Sequence, residues 1–181
     1  MKNQIPIKFR KGSIFDHRDI ESIVELSQYL PEPVSEGQLI ERLLFRKHWI
    51  RFTSDFNQKD IAFSIWYEDA PEDIYFFITA THPNYTRRRI GEKLLRASIA
   101  ISQKEGYSNF SLRTFNQCYG MLKLCNRLEL SKGNWERLDD PYGKNSYCIE
   151  YNCNLKSYQF PFTDKKHTLI LPSELVNGNE K

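Results

Sequence analysis

The residues whose types could perform chemistry lie in a basic stretch that links a predicted buried strand to a predicted helix. It contains Arg87, Arg88 and Arg89, followed two residues later by Gly91. The first N–H groups of a helix have no partner inside it, and the helix dipole adds a partial positive charge there. Arginine adds a fork of donors suited to phosphate oxygens, and glycine lets a ligand approach the backbone. Residues 86–92 therefore predict a phosphate-binding site, although a solvated basic helix start has the same composition.

Hydrophobic periodicity predicts the elements that surround this stretch. Residues 5–9 and 61–67 alternate between apolar and polar side chains, as half-buried strands do. The run 74–80 is apolar on both parities, which predicts a central strand covered on both faces. Ser35 and Gln38 have the spacing of a capping box at a helix start. The predicted order is β-α-α-β-β-β-α-β-α-β-β, an α/β fold in which a mixed sheet carries helices on both faces.

Composition and charge exclude several classes of protein. The 181 residues suit one domain, predicted over residues 1–155, with a partly ordered C-terminal extension over 156–181. Aromatic residues make up 14% and the formal net charge is +3, which excludes a disordered chain and argues against a whole-surface nucleic-acid binder. There is no run of 18 apolar residues, so no membrane span is expected. No secretory signal is recognised, and the four cysteines are expected to be reduced thiols in a cytoplasmic protein without a metal site.

The basic stretch resembles a loop of a known family. Residues 85–95 resemble the coenzyme A pyrophosphate loop of the GNAT superfamily of N-acetyltransferases. That loop usually has Gln or Arg, two variable residues, Gly, one variable residue, and then Gly or Ala. Gly91 matches the last small position, and residues 81–83 resemble the end of the preceding strand. Thr86 stands where Gln or Arg is usual, and Arg89 stands where the first Gly is usual, a position that often needs freedom of φ.

A later predicted helix resembles the same family. Met121, Leu124, Arg127 and Leu128 fit its Asn-x-x-Met-x-x-Leu-x-x-Arg-Leu-Gly-Phe segment, with Cys118 at the Asn position. The order of elements matches as well, so the resemblance covers roughly four-fifths of the chain. It implies a GNAT-like fold whose central fourth and fifth strands splay apart.

The resemblance also implies acetyl-CoA as co-substrate. In this family the pantetheine arm lies in the gap and pairs with the backbone of the fourth strand, while the loop holds the diphosphate. Asn116, which follows the fifth strand, would bond the pantetheine or cap the next helix. The implied cofactor-binding residues are Ile78, Thr79, Ala80, Thr81, Thr86, Arg87, Arg88, Arg89, Ile90, Gly91, Glu92 and Asn116.

The implied reaction is direct attack of a primary amine on the thioester. It needs a base that takes a proton from the ammonium form. Many relatives carry a Glu base on the fourth strand, but Phe76 stands near that position here. The candidate bases are Glu72 and Asp73 at the start of the strand and His82 just past its end, and each also fits a surface position.

The departing thiolate often receives a proton from an acid, and two candidates lie on the later helix. Cys125 stands where relatives often carry a tyrosine, and a thiol can protonate a thiolate of similar basicity. Its place on the apolar stripe of the helix equally suits packing. Tyr119 is the alternative donor.

Three functions remain open from the sequence. The first is an acetyl-CoA-dependent N-acetyltransferase with a small-molecule or peptide amine as acceptor. The lack of the strand Glu and the helix Tyr favours a non-catalytic CoA-binding or interaction module on the same fold. RNA or DNA binding through Arg87, Arg88 and Arg89 is the third, although no nucleic-acid module is recognised. The resemblance also implies that the chain could form a homodimer through its late strands.

Overall fold

The computed structural model of the protein describes residues 8–137 and 146–161. Within these residues, seven strands and four α-helices follow the predicted order. The strands are β1 (Lys8–Gly12), β2 (His48–Ser54), β3 (Asp60–Ala70), β4 (Asp73–Thr81), β5 (Asn109–Phe115), β6 (Ser131–Arg137) and β7 (Tyr147–Asn154). The helices are α1 (His17–Ser27), α2 (Glu36–Leu43), α3 (Ile90–Lys104) and α4 (Tyr119–Arg127), and a short 3₁₀ turn covers Pro83–Tyr85.

The seven strands form one mixed sheet in the order β1-β2-β3-β4-β5-β7-β6. Only the central pair β4–β5 is parallel, and its crossover runs through α3. The α/β mixed-sheet prediction is therefore confirmed. A turn predicted at 139–143, a strand predicted at 168–171 and most of the predicted extension lie outside the described residues.

Local signals explain where the helices begin and end. The Asp16 side chain accepts from the N–H of Arg18 and caps α1, whereas Asp19 in the first turn is buried and binds Arg10. The Ser35–Gln38 capping box opens α2 as predicted. After α3 the chain turns away at Gly106, whose φ of 87° is costly for other residues.

The helices cover opposite faces of the sheet. Side chains of α1 and α2 pack with Phe52, Phe63 and Ile65, whereas α3 and α4 pack with Trp66 and Phe76. Neighbouring strand residues point to opposite faces, so Ile65 and Trp66 belong to different core clusters. In the described part of the chain, no helix is long and apolar enough to cross a bilayer.

The prediction that both faces of β4 are covered is wrong for its second half. Ile74, Phe76 and Ala80 are buried, but the segment 77–79 is only half-buried. The reason is tertiary, because β4 leaves its neighbour β5 at this point.

Candidate active site

The parallel strands β4 and β5 separate halfway along their length. They pair from Asp73 opposite Asn109 to Phe76 opposite Leu112, and no further. Strand β5 continues to Phe115 paired with β7, while β4 continues to Thr81 paired with β3. The predicted splay of the central strands is therefore confirmed. Beyond Phe76, the edge of β4 that faces away from β3 has no strand partner among the described residues.

A bulge in β4 lies at the point of separation. Phe76 pairs with Trp66, and Ile78 pairs with Ile65, so Phe77 is an extra residue without an opposite number. A bulge bends the strand and increases its local twist. It thereby directs the second half of β4 away from β5 and opens a gap through the sheet.

The gap forms a cleft with a volume of about 1050 Å³. Residues 76–79 of β4 and 112–115 of β5 form its walls, and the start of α4 contributes Cys118, Gly120 and Met121. On the opposite face of the sheet, the cleft is lined by residues 29–34 and by side chains of α2, including Arg42. A ligand in the gap would therefore reach both faces of the sheet.

The predicted phosphate loop lies between the end of β4 and the start of α3. Arg87 and Arg89 adopt left-handed conformations, with φ of 63° and 60°. Arg89 is the residue before α3, at the motif position where glycine is usual, and it accepts this conformation without being glycine. The first bond along the helix runs from the N–H of Lys93 to the carbonyl of Arg89 at 3.0 Å. The N–H groups of residues 90–92 precede that bond, as an anion cradle requires.

Gly91, in the first turn of α3, has no internal reason to be glycine. A Cβ atom added there would meet no atom within 4 Å, and its φ is not positive. Space remains free at this position, which fits close approach of a ligand to the backbone.

Glu92 is held inside the protein by three arginines. Glu92 is 3% exposed. Its carboxylate oxygens accept hydrogen bonds from the guanidinium nitrogens of Arg89 at 3.0 Å, Arg96 at 3.2 Å and Arg127 of α4 at 2.8 Å. Burial acts to raise the pKa of the carboxyl, but bonds from the arginines outweigh it, so the pKa lies below its usual value. Of the predicted contacts of Glu92 with a cofactor, only the backbone N–H remains available, since the carboxylate is engaged.

His82 lies at the end of β4 and caps the 3₁₀ turn. Its Nδ1 accepts from the N–H of Asn84 at 3.2 Å, and its ring packs edge-on against Tyr29 at 4.9 Å, a residue that lines the cleft. A neutral imidazole that accepts at Nδ1 carries its proton on Nε2. In this arrangement His82 can donate a hydrogen bond but does not offer a free basic nitrogen.

Glu72 and Asp73, two of the predicted bases, lie at the closed end of the β4–β5 pair and not beside the gap. Asp73 pairs with Asn109, and its Oδ1 accepts from the Asn109 side chain at 2.7 Å. The Glu72 carboxylate accepts from Ser108 Oγ, and Lys156 Nζ lies 3.4 Å away. The gap begins only past Phe76, about 10 Å along the strand from Asp73.

Of the predicted acids, Cys125 lies in the core and not in the cleft. Its side chain is fully buried in the core cluster that contains Trp66 and Phe76. Burial raises the pKa of its thiol to about 12. The role of Cys125 as acid stays a prediction, and its buried position does not favour that role. Tyr119, the first residue of α4, is 72% exposed and stands between Cys118 and Gly120, which line the cleft.

Asn116 connects β5 to the start of β7. Its Oδ1 accepts from the N–H of Tyr147 at 3.0 Å, and its own N–H donates to the Tyr147 carbonyl at 2.9 Å. Cys118, and not Asn116, precedes α4 as the cap residue, so the predicted capping role is wrong. Contact of Asn116 with a pantetheine arm stays a prediction.

Sequence reasoning missed the arginines on the other side of the cleft. The Arg42 guanidinium lies 4.6 Å from the ring centre of Phe77, and its NH1 donates to Tyr67 Oη at 3.2 Å. Arg46 binds Asp69 at 2.8 Å. Arg42 occupies an exposed position of α2, and helical periodicity cannot tell which polar side chain of an exposed face will meet a cleft.

Among the comparisons with known proteins, only the comparison of structures finds similar proteins. No protein-family model matches the sequence, and no curated protein matches it. The ribosomal-protein-S18-alanine N-acetyltransferase from Escherichia coli superposes with a TM-score of 0.72 at 18% identity, over 83% of this chain and 94% of that one. An N-acetyltransferase from Staphylococcus aureus Mu50 superposes with a TM-score of 0.67 at 12% identity, over 83% of this chain and 99% of that one. A chain of the NatC complex bound to Gag peptide and CoA superposes with a TM-score of 0.67 at 16% identity, over 83% of this chain and 99% of that one.

Proposed function

The chain has the fold of the GNAT N-acetyltransferases, and we propose that it is an acetyl-CoA-dependent N-acetyltransferase acting on a primary amine. The observation that supports this most is the gap between β4 and β5, with an unpaired strand edge on one wall and the start of α3 at its end. The solved NatC complex, which has the same fold, contains CoA. Acetyl-CoA would supply an acetyl thioester that an amine can attack.

The first turn of α3 would hold the diphosphate. Its N–H groups at residues 90–92 and the helix dipole favour an anion, and Arg87 and Arg88 are exposed beside them. Tyr85 Oη donates to Asp55 at 3.0 Å and so fastens the loop to the turn between β2 and β3. The free edge of β4 at 77–81 would pair with the amides of the pantetheine arm.

The proton of the attacking ammonium would leave toward the α1–α2 side of the cleft. Glu32 and Glu41 line the cleft there, and a carboxylate can accept a proton directly or through one water. They replace Asp73, which lies at the closed end of the sheet, and His82, whose Nδ1 is occupied. Tyr119, at the start of α4, would protonate the departing thiolate.

Titration calorimetry with acetyl-CoA and with CoA tests the proposal first. We expect binding with a Kd in the micromolar range for both, and release of free thiol when acetyl-CoA is mixed with a panel of primary amines. Absence of binding at high micromolar concentration would contradict the whole proposal. Binding without thiol release from any amine would instead favour the non-catalytic CoA-binding module.

A further inference from the structure

We propose that the amine acceptor carries a carboxylate, and that Arg42 binds this group on the α2 side of the cleft. The inference rests on the proposed function, since it names the acceptor class of the same site. It depends on where one arginine is held and on which charges around it are already matched.

Arg42 is positioned by two aromatic residues of the cleft. Its guanidinium lies over the ring of Phe77 at 4.6 Å and donates one hydrogen bond to Tyr67 Oη at 3.2 Å. Tyr67 is 3% exposed, and the ring centres of Tyr67 and Phe77 are 6.1 Å apart. The two aromatic rings that contact Arg42 therefore pack against each other. A guanidinium has further N–H donors in a planar fork, and that fork matches a carboxylate bidentately.

Among the described residues, the neighbouring arginines have acidic partners and Arg42 has none. Arg46 binds Asp69 at 2.8 Å, and Arg113 lies 3.8 Å from Glu150. Within residues 8–137 and 146–161, Arg42 forms no ion pair, although Glu32 and Glu41 also line the cleft. Among the described residues that line this half of the cleft, Arg42 is therefore the arginine without an ion pair.

The position of Arg42 also limits the size of the acceptor. The ring beneath it belongs to Phe77, the bulge residue at the point where the free edge of β4 begins. Strand residues are about 3.3 Å apart, so the edge at 77–79 extends only about 7 Å from that ring. An amine that reacts beside this edge while its carboxylate contacts Arg42 has few bonds between the two groups. This is the chemistry of a free amino acid or a similar small amino carboxylate.

Matched acceptors test the inference. Thiol release is measured with acetyl-CoA and a panel of free amino acids, each beside its own amide, in which the carboxylate is replaced by a neutral group. We expect kcat/KM for the preferred acid to exceed that for its amide by about 10- to 100-fold, the range for one charge-assisted hydrogen-bonded pair.

The variant Arg42→Gln assigns the preference to this residue. It should raise KM for the acid by about 10- to 100-fold, change kcat little, and leave the affinity for acetyl-CoA unchanged in calorimetry. Arg42→Lys should recover part of the loss, because it keeps the charge without the fork. Arg18→Gln, an exposed arginine of α1 outside the cleft lining, is the control and should behave as the parent protein.

Several results would overturn the inference while the proposed function stands. Equal turnover of acids and amides is one, and an unchanged acid preference in Arg42→Gln is another. Turnover of other amines, with no free amino carboxylate accepted, also contradicts it. Failure of the proposed function is distinguished, because acetyl-CoA would then either not bind in calorimetry or bind without thiol release from any amine.

Discussion

Two residues of α4 have very different surroundings. Cys125 and Tyr119 both lie on α4, six positions apart, and both are candidates for the acid in the sequence. Cys125 does not line the cleft, and burial raises the pKa of its thiol to about 12. Tyr119 is exposed beside the cleft. Exposure therefore favours Tyr119 over Cys125 as the acid that we propose.

Tyr119→Phe should lower kcat by at least about tenfold, because the hydroxyl that would protonate the thiolate is lost. The affinity for acetyl-CoA should stay within about twofold, as measured by calorimetry. Cys125→Ala is the paired control. It should cost about 1–2 kcal/mol of unfolding free energy through the space left in the core, with kcat unchanged. A normal kcat for Tyr119→Phe would remove Tyr119 from the mechanism.

The start of α3 combines strain and space in one turn. Arg89 in the left-handed region costs about 1–2 kcal/mol compared with an ordinary backbone conformation. Its side chain binds Glu92, which helps to retain the turn. Gly91 beside it leaves open space where a side chain would otherwise stand.

Gly91→Leu should weaken acetyl-CoA binding by at least about tenfold, since the new side chain would occupy the space beside the first N–H groups of α3. The free energy of unfolding should not fall, because no neighbouring atom clashes and leucine favours a helix over glycine. Gly37→Leu is a closely matched control. Gly37 is also the second residue of its helix, also has open space around its Cβ position, and does not line the cleft. Equal acetyl-CoA affinity in both variants would argue against a ligand at α3.

At the scale of the whole molecule, hydrogen bonds close one end of the cleft, and ion pairs connect the elements around its other end. The carbonyl of Glu72 accepts the N–H groups of Ser108 and Asn109, which joins the turn before β4 to the start of β5. At the open end, Glu92 joins the loop, α3 and α4 through Arg89, Arg96 and Arg127. The gap between β4 and β5 therefore lies between the hydrogen bonds at Glu72 and the ion pairs of Glu92.

Glu92→Gln should lower the free energy of unfolding by about 3 kcal/mol at neutral pH, because the buried Arg96 loses its counter-charge. Urea denaturation measures this cost. Glu21→Gln is the control, since Glu21 forms an exposed pair with His17 and should change stability by less than about 0.5 kcal/mol. A cost as small as that of the control would contradict the structural role of Glu92.

The same variant predicts a pH dependence. The pKa of Glu92 is lower in the folded than in the unfolded chain, where it is near 4.5. Its stabilising effect is therefore complete above that value and is lost as the pH falls through the lower, folded pKa. The difference between the parent protein and Glu92→Gln should be full above about pH 5 and should shrink below about pH 4. A difference that stays constant with pH would show that the charge of Glu92 does not stabilise the fold.

Much of the fold was predictable from local patterns. Alternation predicted β3, the Ser35–Gln38 pair predicted the start of α2, and the basic stretch before Gly91 indicated the helix start that we propose as the diphosphate site. These features depend on residues close in sequence, where backbone hydrogen bonds and side-chain periodicity act over a few positions. The resemblance of residues 85–95 added the splay between β4 and β5.

Tertiary structure decided which side chains meet in the cleft. Arg42 lies on an exposed helix face and reaches the β4 bulge at Phe77, while Glu92 in the helix start is enclosed by arginines from two helices. Asp73 and Cys125 had suitable chemistry but lie at the closed end of the sheet and in the core. Distance between elements and burial control these roles, and both arise only when strands and helices distant in sequence pack together.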